Sequence, residues 1–204
     1  MAGPSAVLIV AGDDADPRFV AADLVSQLEH DPLAWAVCIT DSAAFAAAVQ
    51  GEFTKAAESA QRAGIIAAAA GRHGILVVCS DMEEALQLTD DFAPEHLELQ
   101  GARAEALADR VRCAGAIFVG AASPVPMGDY IAGPNHTLPT GGAARFSGPL
   151  SVMDFVRWSS VTRLSAHDLD VLGPAACVLS EAEGLHGHTA SIRLRLDAGA
   201  RATA

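Results

Sequence analysis

The chain has 204 residues, 51% of them hydrophobic and 19% charged, enough apolar material for one packed domain or a domain with an appendage, and intrinsic disorder is excluded. Thirteen basic against 25 acidic side chains leave a formal net charge of −12, and Arg193, Arg195 and Arg201 are too few to form a basic patch, so no nucleic-acid partner is expected. The longest apolar stretch, 63–70, is interrupted by Gly64 and falls well short of the ~20 residues of a membrane span; with no basic region before AVLIV to mark a signal peptide, a soluble, cytoplasmic protein without membrane contact is expected.

In chain order, residues 6–10 (AVLIV) read as a first strand, rich in β-branched side chains. Residues 16–29 read as a helix, with Asp16 as cap, Pro17 at the first helical position, and Phe19, Val20, Leu24 and Leu28 on one apolar face. A second strand follows at 35–40 (WAVCIT), then an alanine-rich helix from Asp41-Ser42 to about Ala70 with a break expected at Gly64. Residues 74–80 (GILVVCS) give a third strand, and Asp81-Met82-Glu83-Glu84 opens a helix with acidic residues in its first turn. Strands at 96–100 (HLELQ) and 116–120 (AIFVG) flank a helix over 102–114. This alternation is the pattern of an α/β fold, a Rossmann-like parallel sheet of about five strands flanked by helices.

After Gly120 the composition changes. Ser123-Pro124-Val125-Pro126-Met127-Gly128 and Gly133-Pro134-Asn135 leave no room for regular structure, and the irregular stretch runs to Pro149. Loops of this length are disordered or functional, and Asp129, Tyr130, Asn135, His136 and Arg145 among rigid neighbours favour function. Residues 150–158 and 175–185 look helical, and 191–196 (SIRLRL) alternates like a short strand. The tail has too little apolar surface to fold alone, so a boundary is drawn between a sheet domain, 1–122, and a loop with C-terminal arm, 123–204, that packs on the first domain or on another subunit. The cysteines Cys38, Cys79, Cys113 and Cys177 form no CxxC pair and read as free, mostly buried thiols.

Four places hold side chains that could act together. Asp23, Gln27 and His30 fall at i, i+4 and i+7, on one helix face, although a histidine at a helix end is commonly only a dipole partner. Pro94-Glu95-His96 presents an acid and an imidazole from a rigid corner, a pairing suited to general acid–base work, although adjacent Glu and His are common. Gly128-Asp129-Tyr130 with Asn135-His136 lies in the Gly/Pro loop, and Glu183, His186 and His188 lie near the C-terminus, where a solvated helix end is the plain alternative. Two histidines, an aspartate and a glutamine or glutamate make an oxygen/nitrogen set suited to Zn²⁺ or Mn²⁺ rather than a thiolate zinc site. His73 and His167 have no partner pattern and read as surface residues.

The segments GPSAVLIVA, FVAADLVSQLEH, FAPEHLEL, AGAIFVG, GDYIAGPNHTLPTGGAARFSGPLSVMDF and HGHTASIRLRL resemble the histidinol dehydrogenase family, in the same order and over essentially the whole chain. The resemblance is to roughly the second half of the family's enzyme; the half without a counterpart includes the domain that binds the nicotinamide cofactor. It implies a zinc held by Gln27, His30, Asp129 and His188, acid–base residues Glu95 and His96, and substrate contacts at Ser5, His136 and Glu183. It also implies a homodimer whose C-terminal arm crosses to the partner and supplies His188 and Glu183. No GxGxxG follows any of the five strands, so NAD binding by this chain alone is not expected.

Three functions compete on this reading. The first is a zinc enzyme using metal Lewis acidity and Glu-His acid–base catalysis on a small polar or specialised-metabolite substrate, without NAD. The second is NAD-dependent oxidation of an amino alcohol, with the missing half supplied by another chain that docks on an exposed apolar surface of the sheet. The third is a binding or regulatory remnant, against which the intact set of candidate residues speaks.

Overall fold

The computed structural model describes residues 3–202. Every residue of β1 (Ala6–Ala11) is buried, as a strand covered on both faces requires. β2 (Trp35–Thr40), β3 (Gly74–Val78), β4 (His96–Gln100) and β5 (Ala116–Val119) join it in one five-stranded sheet of order β3-β2-β1-β4-β5. All four pairings are parallel. The order reverses beside β1, so the ends of β1 and β4 flank the topological switch point of a doubly wound sheet. In register, Val7 lies opposite His96, Ile9 opposite Glu98 and Ala11 opposite Gln100.

The alternation within β1 divides the core. Val7 and Ile9 face one side with Val20, Leu24 and Leu28 of α1 (Pro17–Leu28), joined by Cys38, Phe45, Val49 and Ile66. Leu8 and Val10 face the other with Val37, Ile39, Leu97 and Leu99, under Met82 and Ala85 of α4 (Met82–Phe92) and Ala104 of α5 (Ala102–Glu105). α1 starts as expected: the Asp16 side chain accepts the Arg18 N–H and Pro17 opens the helix. The Arg18 guanidinium beside it holds the Asp16 carboxyl down at about 2.

Several boundaries differ from the sequence reading. The alanine-rich segment breaks after α2 (Ala43–Ser59), where Ala60 turns extended, and resumes as α3 (Ala63–His73). Gly64 sits inside α3 with open space beside it, and the redirected helix brings Ile66 and Ala69 into the core. The helix expected over 102–114 stops after α5 and a 3₁₀ turn, Ala108–Arg110. There the Asp90 carboxylate captures the N–H groups of Arg112 and Cys113 and draws the chain out of the helix. The Gly/Pro segment does hold regular structure, the short α6 (Val125–Tyr130), because Pro124 caps it and Pro126 occupies the first turn, where a missing N–H costs nothing. His73 is half-buried rather than superficial, its ring stacked on Trp35 with centroids 4.5 Å apart.

The chain divides into two compact units, Met1–Val156 and Arg157–Ala204. At the end of the first, the helix expected over 150–158 is only a 3₁₀ turn, Val152–Phe155, closed by a Ser151/Asp154 capping box. The second is a helical hairpin of α7 (Ala166–Ala182) and α8 (His186–Ala202). SIRLRL is not a strand: Ile192 and Leu196 are spaced one helical turn apart and pack on Gly173 of α7, where an added Cβ would lie 3.1 Å from Leu196. A 2.6 Å hydroxyl contact between Ser180 and Thr189 closes the hairpin. The four cysteines are free, Cys38, Cys79 and Cys177 buried and Cys113 half-buried, and burial pushes the Cys38 thiol up to about 12. Among the described residues no helix is long and apolar enough to cross a membrane.

Candidate functional site

Parallel strands start at a common edge, and the helix joining β1 to β2 must run back toward it. The amino edge of the sheet therefore collects Ser5 just before β1, Gln27 and His30 at the end of α1, and Glu95-His96 at the start of β4. One oxygen of Glu95, Oε2, accepts the Ser5 hydroxyl at 2.8 Å and the Ala6 N–H at 2.8 Å. Gln27 Nε2 donates to Ser5 Oγ at 2.9 Å, which extends the chain of hydrogen bonds to α1. His96 Nδ1 meets the Ala6 carbonyl at 3.2 Å. A carbonyl only accepts, so Nδ1 carries the proton and Nε2 of the neutral ring holds the lone pair. That Nε2 is buried without a hydrogen-bond partner and stands 3.8 Å from Asp129 Oδ1 of α6.

The main chain beneath this pair is tightly fixed. α4 ends at Ala93 in the left-handed conformation (φ 52°), among the described residues the only positive φ outside glycine, and Pro94 follows. Gly115 donates to the Pro94 carbonyl and Ala116 to the Glu95 carbonyl. A Cβ at Gly115 would lie 2.6 Å from the Glu95 oxygen, so only glycine permits the approach. The rigid corner expected from Pro94 is present.

Gln27, His30 and Asp129 line a single cavity of about 160 Å³, together with Asp23 and Tyr130. Gln27 is buried, Asp129 half-buried and His30 exposed. Among the described residues no three His, Cys, Asp or Glu side chains stand as a preformed metal cluster; in the first unit the expected ligands contribute two such side chains and one amide. His136 is exposed on the loop after α6 and makes none of these contacts, while the Asn135 side chain accepts the Thr137 N–H. Glu183 and His188 belong to the helical hairpin, at the end of α7 and in the first turn of α8, both exposed.

Two polar residues of β4 escaped the sequence reading. Glu98 and Gln100 share the face of His96, since alternate residues of a strand point the same way. Glu98 Oε1 accepts the N–H of Val125, the first residue of α6, at 3.0 Å. Gln100 Nε2 donates to Glu98 Oε2 at 2.8 Å and to Asp23 Oδ2 at 3.0 Å. Burial foremost, then the neighbouring Asp23 charge, pushes the Glu98 carboxyl up to about 8, and burial raises Asp23 as well. The signal was three polar residues at period two in a strand buried on both faces.

The carboxyl edge is different in character. A crevice of about 400 Å³ there is lined by Asp14, Asp16, Gln100, Glu105 and small residues, with no basic side chain among its described lining. The Asp14 carboxylate accepts the Ala102 N–H and so closes the start of α5.

A family model described as histidinol dehydrogenase matches residues 1–196. The chain belongs to the histidinol dehydrogenase family. "Histidinol dehydrogenase" of Parasynechococcus marenigrum (strain WH8102) is 52% identical over 196 residues, covering 96% of this chain and 45% of the relative. The protein of the same name from Rhizobium meliloti (strain 1021) is 44% identical over 199 residues, covering 98% of this chain and 46% of the relative. The crystal structure of histidinol dehydrogenase from Elizabethkingia anophelis superposes with a TM-score of 0.89 at 31% identity, over 97% of this chain and 45% of that one. The α/β fold is thus that of a histidinol dehydrogenase, and the chain spans less than half the length of these relatives.

Proposed function

We propose that this chain is a zinc-dependent enzyme of the histidinol dehydrogenase family that moves protons on a small polar substrate through Glu95 and His96. The observation that carries the reading is the arrangement of that pair. Glu95 has one oxygen saturated by Ser5 and Ala6 and the other outside those bonds, while His96 turns an unpartnered Nε2 toward Asp129.

The ion would be held by Gln27, His30 and Asp129 with His188, all oxygen or nitrogen donors that suit Zn²⁺ and would also accept Mn²⁺. Gln27 commits its amide nitrogen to Ser5, which leaves Oε1 as the atom to offer a cation. The C-terminal end of α1 adds the negative end of a helix dipole on the same side. Bound zinc supplies Lewis acidity to a substrate hydroxyl, carbonyl or amine.

The chain's own residues do the rest. The Ser5 hydroxyl and the Ala6 N–H hold Glu95 by its Oε2 and leave Oε1 as the atom that takes a proton from the substrate or from water. His96 relays that proton: Nε2, its tautomer set by the Ala6 carbonyl, accepts it and returns it to the substrate as the product forms, and the transient cation faces the Asp129 carboxylate. Ser5, His136 and Glu183 contact the substrate. Glu183 and His188 come from the helical arm of a partner subunit in a homodimer; exposed Val171, Leu172, Val178, Leu179 and Leu194 on that hairpin support the exchange. The free cysteines fit a reducing, cytoplasmic setting.

A second reading is the NAD-dependent oxidation of an amino alcohol, with the rest of the relatives' length supplied by another polypeptide. It is favoured by the edge strand β3, whose Ile75, Leu76 and Val78 are exposed beside a groove lined by Leu24, Leu28, Val49 and Phe53. Elemental analysis together with calorimetric titration of NAD on one sample separates the two. Zinc with no NAD binding, whether the chain is alone or purified with any partner from its source, supports the first; zinc with NAD binding that appears only with such a partner supports the second; and a protein that takes up no metal refutes both. His30→Ala or Asp129→Ala should strip the metal, whereas Glu95→Gln should keep it and lose turnover. Full activity in Glu95→Gln refutes the proton-transfer role.

A further inference from the structure

We propose that Glu98 is a positioning residue: held by Gln100 and Asp23, it seats the first residue of α6 and thereby sets Asp129 opposite His96. Three observations converge on it. Glu98 is 1% exposed in the middle of β4, and none of the salt bridges among the described residues involves it or Asp23. A carboxyl in such a place is tolerated only when its lone pairs are used. They are used by the Gln100 amide on one oxygen and the Val125 N–H on the other.

The second observation is that α6 has few other anchors. It is six residues long, its cap Pro124 has no side-chain acceptor, and Pro126 has no N–H. Val125 therefore carries a first-turn donor that would be orphaned in a buried position without Glu98. The third is the fit at the next contact. Gly128 lies so close to the ring of Phe118 that a Cβ would be 2.5 Å from it, and Phe118 lies opposite Glu98 in β5. Glu98 and Phe118 thus fix the two ends of a one-turn lever. Asp129 follows Val125 by four residues, about one helical turn, so any shift of the seat is delivered to its carboxylate.

The variants that test this are Glu98→Met, which keeps the volume and removes the acceptor, and Glu98→Gln, which keeps an acceptor for Val125. Val125→Pro removes the donor while leaving Glu98 intact, at a helix position that accepts proline. Two readouts are taken on the full chain: amide hydrogen exchange of α6, and the visible absorption spectrum and affinity of added Co²⁺ as probe metal. Only the cobalt readout rests on the proposed zinc site.

Glu98→Met should raise the exchange rate of the Val125 amide at least tenfold. It should also weaken Co²⁺ binding by about 10–100-fold with an altered spectrum, the scale for removing a residue that orients a ligand. Glu98→Gln should restore both. Val125→Pro should reproduce the cobalt change, and Glu98→Met combined with it should add no further loss. Unchanged Val125 exchange and an unchanged cobalt spectrum in Glu98→Met would overturn the proposal, as would additive losses in the double variant. If Glu98→Met does not fold, Val125→Pro with a wild-type spectrum overturns it instead. A wild-type chain that binds no cobalt removes the metal reading, while the exchange at Val125 still decides whether Glu98 seats α6.

Discussion

Replacing Glu98 by Gln should flatten the dependence of folding stability on pH. In the folded chain Glu98 keeps its proton up to about pH 8, against an ordinary value of 4.5. Between those limits the folded state binds a proton that the unfolded chain releases, so stability falls as pH rises through the window, and the loss is complete above it. From pH 5 to pH 7 the crossing spans nearly two units, which at about 1.4 kcal/mol per unit costs about 2–3 kcal/mol. For a chain of this size that corresponds to a melting temperature lower by roughly 5–10 °C at pH 7 than at pH 5. Glutamine has no proton to lose, and groups away from this pair titrate alike in both proteins, so the difference between the two pH slopes reports Glu98 together with its neighbour Asp23. The assay is thermal and urea unfolding of wild type and Glu98→Gln at pH 5, 6 and 7, with chelator present to remove metal linkage. Equal slopes in the two proteins would refute the reasoning, and so would a wild type that gains stability relative to the variant as pH rises.

Gly128→Ala should push the Phe118 ring away from a Cβ placed 2.5 Å from Cε1, costing about 1–3 kcal/mol in urea unfolding, with partial recovery in combination with Phe118→Leu. Leu8→Ala opens a cavity at a fully buried position between β1 and the α4/α5 layer and should cost about 2–5 kcal/mol by the same measurement. Ellman's reagent at pH 8 should label Cys113 first and leave Cys38 unreacted until denaturant is added, because the Cys38 thiol is buried and held protonated to about 12. Rapid labelling of Cys38 in the native protein would mean that the α1/α2 face of the sheet opens readily.

Residue types that obey one period were read well from the sequence, and residues that satisfy two periods were not. The strands are dense in Val, Ile and Leu and fall within a residue or two of the expected positions; the third ends at Val78 because Cys79 and Ser80 already turn toward α4. SIRLRL alternates with period two, yet Ile192 and Leu196 also stand at i and i+4, and contact with Gly173 decides for the helix. The break at Ser59–Arg62 was hidden because alanine is at home on either side of it, so only the need to bury Ile66 and Ala69 fixes where the chain bends. Among the candidate residues, Ser5, Gln27, His30, Glu95, His96 and Asp129 announced themselves by motif and are gathered at one edge. Glu98 and Gln100 did not, since polar residues alternating in HLELQ look like the wet face of a strand. They are instead roofed by α1 and α6, and polar side chains so covered must be partnered.

The acidic carboxyl edge of the sheet bears on how this scaffold could be rebuilt. In doubly wound folds the helix starts at that edge are where a phosphate is usually received. Here Asp14 occupies the start of α5, Asp16 that of α1 and Asp81 that of α4, each with an oxygen on a main-chain N–H. A designer grafting a nucleotide site onto this end would first have to exchange at least Asp14 and Asp16 for neutral caps such as serine, restoring the helix ends while removing their repulsion of an anion. Such surgery would leave the acid–base pair in place, because five residues of strand, about 16 Å, separate the two edges.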